Sequence, residues 1–115
     1  MTILDTNIVI NRVKHRKTIY EDITAVTFIE IPKIVYYKHF YGGIIFPIRY
    51  DYILAHKLQL ELLKLGKPQA FSDLLIAAIA INRDEELITS DCDFKSINEA
   101  TKKMNYLLKL KIMEC

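Results

Sequence analysis

Residues 72–94 read SDLLIAAIAINRDEELITSDCDF, and the fold follows from how that stretch is parsed. Asp73 stands at the head of an apolar run, residues 74–81, too long for an ordinary strand, which predicts a buried helix. A charged turn over residues 82–86 leads to Leu87, Ile88 and Thr89, a short buried strand that ends in two further acids, Asp91 and Asp93. A helix and a strand packed antiparallel put the helix start and the strand end at one edge of a sheet. Asp73 is therefore expected to meet Asp91.

Toward the N-terminus, Thr2, Ile3 and Leu4 predict a first strand, followed by Asp5, Thr6 and Asn7 and then an apolar helical segment. Asp5 is a good N-cap, because a carboxylate accepts from the free amides of a first turn. Equally, a strand ending in an acid offers that acid at the carboxyl edge, where open α/β sheets bind ligands. Residues 23–27 alternate and are β-branched, which predicts a second strand. Pro32 is tolerated only in a first helical turn, so a helix is expected to begin within about three residues before it, with Glu30 at or beside its N-terminus. There Glu30 either complements the helix dipole or, flanked by Phe28, Ile29 and Ile31, needs a cation to offset its desolvation. Residues 44–47 read as a link, 48–65 as the longest helix, 95–103 as a polar helix and 106–112 as an edge strand guarded by Lys109 and Lys111. The alternation predicts one α/β domain with a central, mainly parallel sheet covered by helices on both faces.

A chain of 115 residues supports a single core, so any site lies on the surface of one domain. The net charge of +2 does not by itself announce a nucleic-acid binder. Arg12 and Arg16 in the run after the first strand, and Lys102 and Lys103 near the C-terminus, are the candidates for phosphate contact; the plainer reading is solvated helix ends. No apolar run approaches the roughly 20 residues that span a bilayer, and no signal-peptide pattern stands at the N-terminus, so a cytoplasmic location without a membrane partner is expected. Cys92 and Cys115 lack metal-type spacing and read as free thiols. His15, His39 and His56 share no metal-binding spacing, and His56 and Gln59 read as surface residues.

Asp5, Glu30, Asp73 and Asp91 all fall at strand ends or helix starts that belong to one edge of a parallel sheet. Carboxylates crowded there raise one another's pKa and cannot all stay ionised without a cation. Hard oxygen donors suit Mg²⁺ or Mn²⁺, and the chemistry that fits is metal-assisted phosphodiester hydrolysis. No Gly-rich phosphate loop points to ATP use, and no histidine, serine or cysteine arrangement offers another mechanism. A metal-dependent phosphatase would place a second acid two residues after its nucleophile, where Asn7 follows Asp5.

The segments LDTN (residues 4–7), TFIE (27–30), SDLLIAAIA (72–80) and LITSDCDF (87–94), in this order and spacing, resemble the PIN-domain ribonucleases, and within them the VapC-like toxins of toxin–antitoxin pairs. The resemblance covers essentially the whole chain. It implies that Asp5, Glu30, Asp73 and Asp91 are the metal-binding acids, that Asp93 is an additional or outer ligand, and that Asn7, Thr89 and Ser90 position water or carboxylates. It further implies an RNA substrate, a homodimer and a cognate antitoxin that lays an apolar segment in a groove between helices. Surface tyrosines such as Tyr36, Tyr37, Tyr50 and Tyr52 either serve such contacts or pack in the core. The alternatives are a PIN nuclease of RNA processing or decay, which would use the same residues, and a non-catalytic interaction module of the same fold, which would have lost one or more of the acids.

Overall fold

The computed structural model describes residues 1–113. The elements are β1 (Thr2–Leu4), α1 (Thr6–Lys14), β2 (Ile23–Thr24), α2 (Ala25–Glu30), a 3-10 helix (Pro32–Tyr36), β3 (Ile44–Ile45), α3 (Arg49–Lys64), α4 (Phe71–Arg83), β4 (Glu86–Thr89), α5 (Phe94–Lys103) and β5 (Leu110–Ile112). β4 lies between β1 and β5, parallel to both, and β2 pairs in parallel with β3. The two pieces are joined at Ile3 and Asp22, where Leu4 N–H donates to the Asp22 carbonyl at 2.9 Å and Asp22 N–H to the Thr2 carbonyl at 3.0 Å. The strand order is therefore β3-β2-β1-β4-β5, with every strand running the same way.

Alternation along β1 divides the core in two. Ile3 packs with Leu54, Leu58, Ile76, Ile79 and Ile97 under α3, α4 and α5, whereas Leu4 packs with Val9, Ile19, Ile23 and Ile34 under α1 and the 3-10 helix. The sheet is thus covered on both faces, as expected. α4 is buried on all sides from Leu74 to Ala80 because it is wedged between α3, α5, α2 and β4, which accounts for a helix apolar around its whole circumference. Asp84 turns left-handed (φ 54°) and Glu85 N–H donates back to the Ala80 carbonyl at 3.0 Å. That cap reverses the chain into β4.

Several boundaries differ from expectation. β2 stops after two residues and α2 begins at Ala25, because the partner β3, read from sequence as a link, offers only Ile44 and Ile45 for pairing. Pro32 opens the 3-10 helix instead of sitting in the first turn of a long helix; lacking an N–H and crowding the preceding turn, it ends α2 at Glu30. β5 covers only residues 110–112, although it does lie at the sheet edge. Glu85, read as part of a solvent turn, is 7% exposed and ion-paired to Arg83 Nε at 3.0 Å. Gln59 is no idle surface group: its amide donates to the Gln69 carbonyl and accepts from the Gln69 N–H, tying down the loop before α4. Cys92 is not a free thiol, and Cys115 lies outside the described residues. Among the described residues no helix is long and apolar enough to cross a membrane.

Candidate metal centre

Five acids arrive at the carboxyl edge of the sheet from four directions. Asp5 follows β1 and caps α1: Oδ1 accepts from Thr6 N–H at 2.9 Å, and Oδ2 accepts from the Thr89 hydroxyl at 2.7 Å. The capping and the functional readings of Asp5 are therefore compatible, since one oxygen serves the helix and the other faces its neighbours. Thr89, at the end of β4, also accepts from Asp91 N–H at 3.0 Å, so a single buried hydroxyl holds both Asp5 and the Asp91 backbone. Asp91 Oδ1 in turn accepts from Asp93 N–H at 2.9 Å. Asp73 enters from the first turn of α4. One carboxylate oxygen from each of Asp73, Asp91 and Asp93 lies within 4.8 Å of the others. Asp93, expected as an additional or an outer ligand, belongs to this tight trio.

Glu30 comes from the opposite side. It is the last residue of α2, where the dipole disfavours a carboxylate, so the reading that it complements a helix N-terminus does not apply. Nor is it buried among apolar neighbours, because Glu30 is exposed and Ile29 is 74% exposed. It is instead held in place: the Thr6 hydroxyl donates to Glu30 Oε1 at 2.7 Å. That uses Thr6's only hydroxyl proton, so Thr27, 2.9 Å from Thr6, is the donor in their contact.

The electrostatics tie these groups together. Burial pushes the Asp73 carboxyl up to about 6, with the charges of Asp5, Asp91, Asp93 and Glu30 adding to the effect. Asp73 sits in the first turn of α4, where the dipole favours an anion; desolvation and four neighbouring acids outweigh it. Burial likewise raises Asp5, with Asp91 and Glu30 contributing, against the lowering hydrogen bonds from Thr89 and Thr6. All five acids thus share one electrostatic neighbourhood. The donor set fits a hard divalent cation: it consists of carboxylate oxygens, and its unrelieved repulsion is what such an ion would cancel.

The other expected site residues are placed less uniformly. Asn7 is exposed in the first turn of α1, and Ser90 follows β4 beside Asp91. Arg12 lies in the last turn of α1, away from the acids, and its guanidinium is 2.6 Å from Glu21. Arg16 follows the end of α1 in a left-handed conformation (φ 56°). Lys102 and Lys103 stand in the last turn of α5, on the order of 13 Å of helix from its start beside Asp93. These four cations are not brought to the carboxylates. Thr6 and Thr27 were missed from sequence, although both stand inside the quoted LDTN and TFIE segments.

Beside Glu30 opens an apolar cleft of about 520 Å³ between α2, α3 and α4, lined by Val26, Phe28, Ile29, Phe46, Tyr52, Phe71 and Leu75 among others. Tyr36, Tyr50 and Tyr52 are exposed and not core residues, while the Tyr37 hydroxyl donates to the Lys17 carbonyl at 2.6 Å.

No protein-family model and no curated protein matches the chain. Solved structures do. A chain of VapBC-1 from nontypeable Haemophilus influenzae superposes with a TM-score of 0.71 at 21% identity, covering 96% of each chain. A chain of VapBC2 from Rickettsia felis, bound to a DNA fragment from their promoter, gives 0.70 at 22% identity over 96% of this chain and 97% of that one. A chain of DNA-bound VapBC from Salmonella typhimurium gives 0.72 at 16% identity over 96% of each. The likeness is one of fold, and it extends over nearly the whole length.

Proposed function

We propose that the chain is a metal-dependent endoribonuclease and the toxin partner of a VapBC-type toxin–antitoxin pair. The observation that carries the reading is the convergence of Asp5, Glu30, Asp73, Asp91 and Asp93 at one sheet edge, with Asp73 raised to about 6 by burial and by the other acids. The fold shared with chains of VapBC complexes supports the choice among carboxylate enzymes. Asp73, Asp91 and Asp93, with Asp5 and Glu30 beside them, would hold Mg²⁺ or Mn²⁺. A bound ion of this kind supplies an acidified water and neutralises charge on the phosphate. The chain's own contribution is to fix the donors: Thr89 orients Asp5 and the Asp91 backbone, and the Thr27–Thr6 relay orients Glu30.

The antitoxin's place in this reading is the apolar cleft, whose floor ends at Glu30 and Ser72, next to Asp73. An apolar partner segment seated there would bring a basic side chain within reach of the acids. A homodimer would use the outer face of α3, where Ile53, Leu60 and Leu63 are exposed. The test is cleavage of structured and single-stranded RNAs with Mg²⁺, with Mn²⁺ and with chelator, beside Asp5→Asn. Metal-dependent cutting lost in the variant is the expected result. Equal cutting by both proteins, or a failure to bind metal, would overturn the nuclease and leave a non-catalytic interaction module.

A further inference from the structure

The chain's acids are unevenly spread. Residues 11–20 and 31–50 contain none, yet they carry seven of its 16 Lys and Arg. The fold joins these two stretches directly: Ile19 N–H donates to the His39 carbonyl at 2.9 Å and Tyr41 N–H to the Ile19 carbonyl at 2.8 Å, as a short parallel bridge between Ile19 and Phe40. Beside that bridge the rings of Tyr20 and Tyr41 stack at 5.7 Å and 21°, although they are 72% and 64% exposed. Lys14, Arg16, Lys17 and Lys38 are exposed along the same two segments. The three acids between the stretches are spent elsewhere: Glu21 pairs with Arg12, Asp22 is buried against Gly43 N–H at 2.8 Å, and Glu30 is held by Thr6 at the carboxylate edge.

An exposed aromatic pair would ordinarily be covered, and free cations would ordinarily be balanced by acids. Together they match the two needs of a single-stranded nucleic acid, a π-face for a base and positive charge for its phosphates. We infer that the ribbon of residues 14–20 and 37–41 is a binding surface for single-stranded RNA, with a base stacked on the Tyr20–Tyr41 pair and flanking phosphates on Lys17 and Lys38. The surface is separate from the carboxylates. Asp22 pairs with β1 at Ile3, so Tyr20 lies about four residues of strand, on the order of 13 Å, toward the opposite edge from Asp5. It would grip RNA away from the point of cleavage. The inference rests on the proposed function only for its choice of RNA.

The test measures anisotropy of a fluorescein-labelled oligouridylate of about 12 nucleotides, in chelator so that nothing is cut. Wild type is compared with Tyr20→Ala/Tyr41→Ala and with Lys17→Gln/Lys38→Gln, each checked for fold by circular dichroism. The tyrosine variant is expected to bind about 10-fold more weakly. The lysine variant should flatten the slope of log K against log salt by about 1.4. Should the tyrosine variant be misfolded, Tyr41→Leu, which removes the ring while keeping apolar bulk, gives the same comparison. Unchanged binding in both variants overturns the inference, as does a loss confined to the lysine variant, which would mean general attraction to polyanions. Tighter binding of a blunt RNA duplex overturns it too. Retained oligouridylate binding without metal-dependent cleavage would sink the nuclease reading and leave this surface standing.

Discussion

Asp73→Asn removes one charge from the centre of the acid cluster while keeping the shape of the side chain. In the metal-free protein the Asp73 carboxyl titrates near 6 instead of 3.8. Its folded pKa lies above its unfolded one, so ionising it penalises the fold: no penalty exists below about pH 4, it grows as the pH rises through 6, and it is complete at neutral pH. A difference of about two pKa units at 1.36 kcal/mol each sets an upper bound of about 3 kcal/mol, which solvent screening at this half-buried carboxyl reduces. The variant should therefore be more stable than wild type at pH 7.5 by up to about 3 kcal/mol, and equal to it at pH 4. Urea unfolding in chelator at both values checks this. The difference between the two proteins, not either curve alone, isolates Asp73, because Glu21, held low by Arg12, contributes stability that is lost as the pH falls. Adding Mg²⁺ should narrow or close the gap, since an ion at 100 times its Kd stabilises wild type by about 2.7 kcal/mol and the variant by less. A variant no more stable than wild type at pH 7.5, with no dependence of the difference on pH, would refute the claim that these acids repel one another in one site.

Further substitutions separate the roles around it. Asp5→Asn and Asp91→Asn should each abolish metal-dependent cleavage while leaving unfolding in chelator unchanged or shifted to higher denaturant, as gel assays and urea melts would show. Thr89→Val deletes a buried hydroxyl that donates to Asp5 and accepts from Asp91 N–H, and should cost about 2 kcal/mol in urea melts together with metal affinity by titration calorimetry. Thr24→Val should be neutral or stabilising by up to about 1 kcal/mol in the same melts, because Thr24 Oγ1 is buried without a hydrogen-bond partner among the described residues. Glu85→Ala should cost about 1 kcal/mol through its lost pairing with Arg83, whereas exposed Asp84→Gly, at a left-handed position, should change little.

Much of the molecule is legible in the chain because its long elements carry strong periodic signals. α3 and α4 span 16 and 13 residues, and β4 stands between a charged turn and two acids. Asp5, Asp73, Asp91 and Asp93 each lie next to a chain reversal that local sequence announces, which is why their convergence is readable without knowing any contact. The Ile23–Glu30 segment is not legible for the same reason in reverse. Val26, Thr27, Phe28 and Ile29 are weak helix formers suited to a strand, and only the brevity of β3 across from β2 decides that they coil. Thr6 and Thr27 escape notice because a hydroxyl becomes informative only once its partner, Glu30, is known. Glu85 is hidden similarly: a charged run reads as solvated until tertiary packing closes over one member of it.

The hydrogen bond from Thr89 to Asp5 joins residues 84 positions apart in sequence. Chains grow from the N-terminus on the ribosome, so Asp5 waits through most of translation before β4 can slot in beside β1. Until that closure neither Thr89 nor Asp91 exists to complete the carboxylate edge, and a prematurely terminated product lacks them altogether. For a protein read as a nuclease made amid RNA, the position of β4 sets the order of events: only a polypeptide synthesised past it can assemble the cluster.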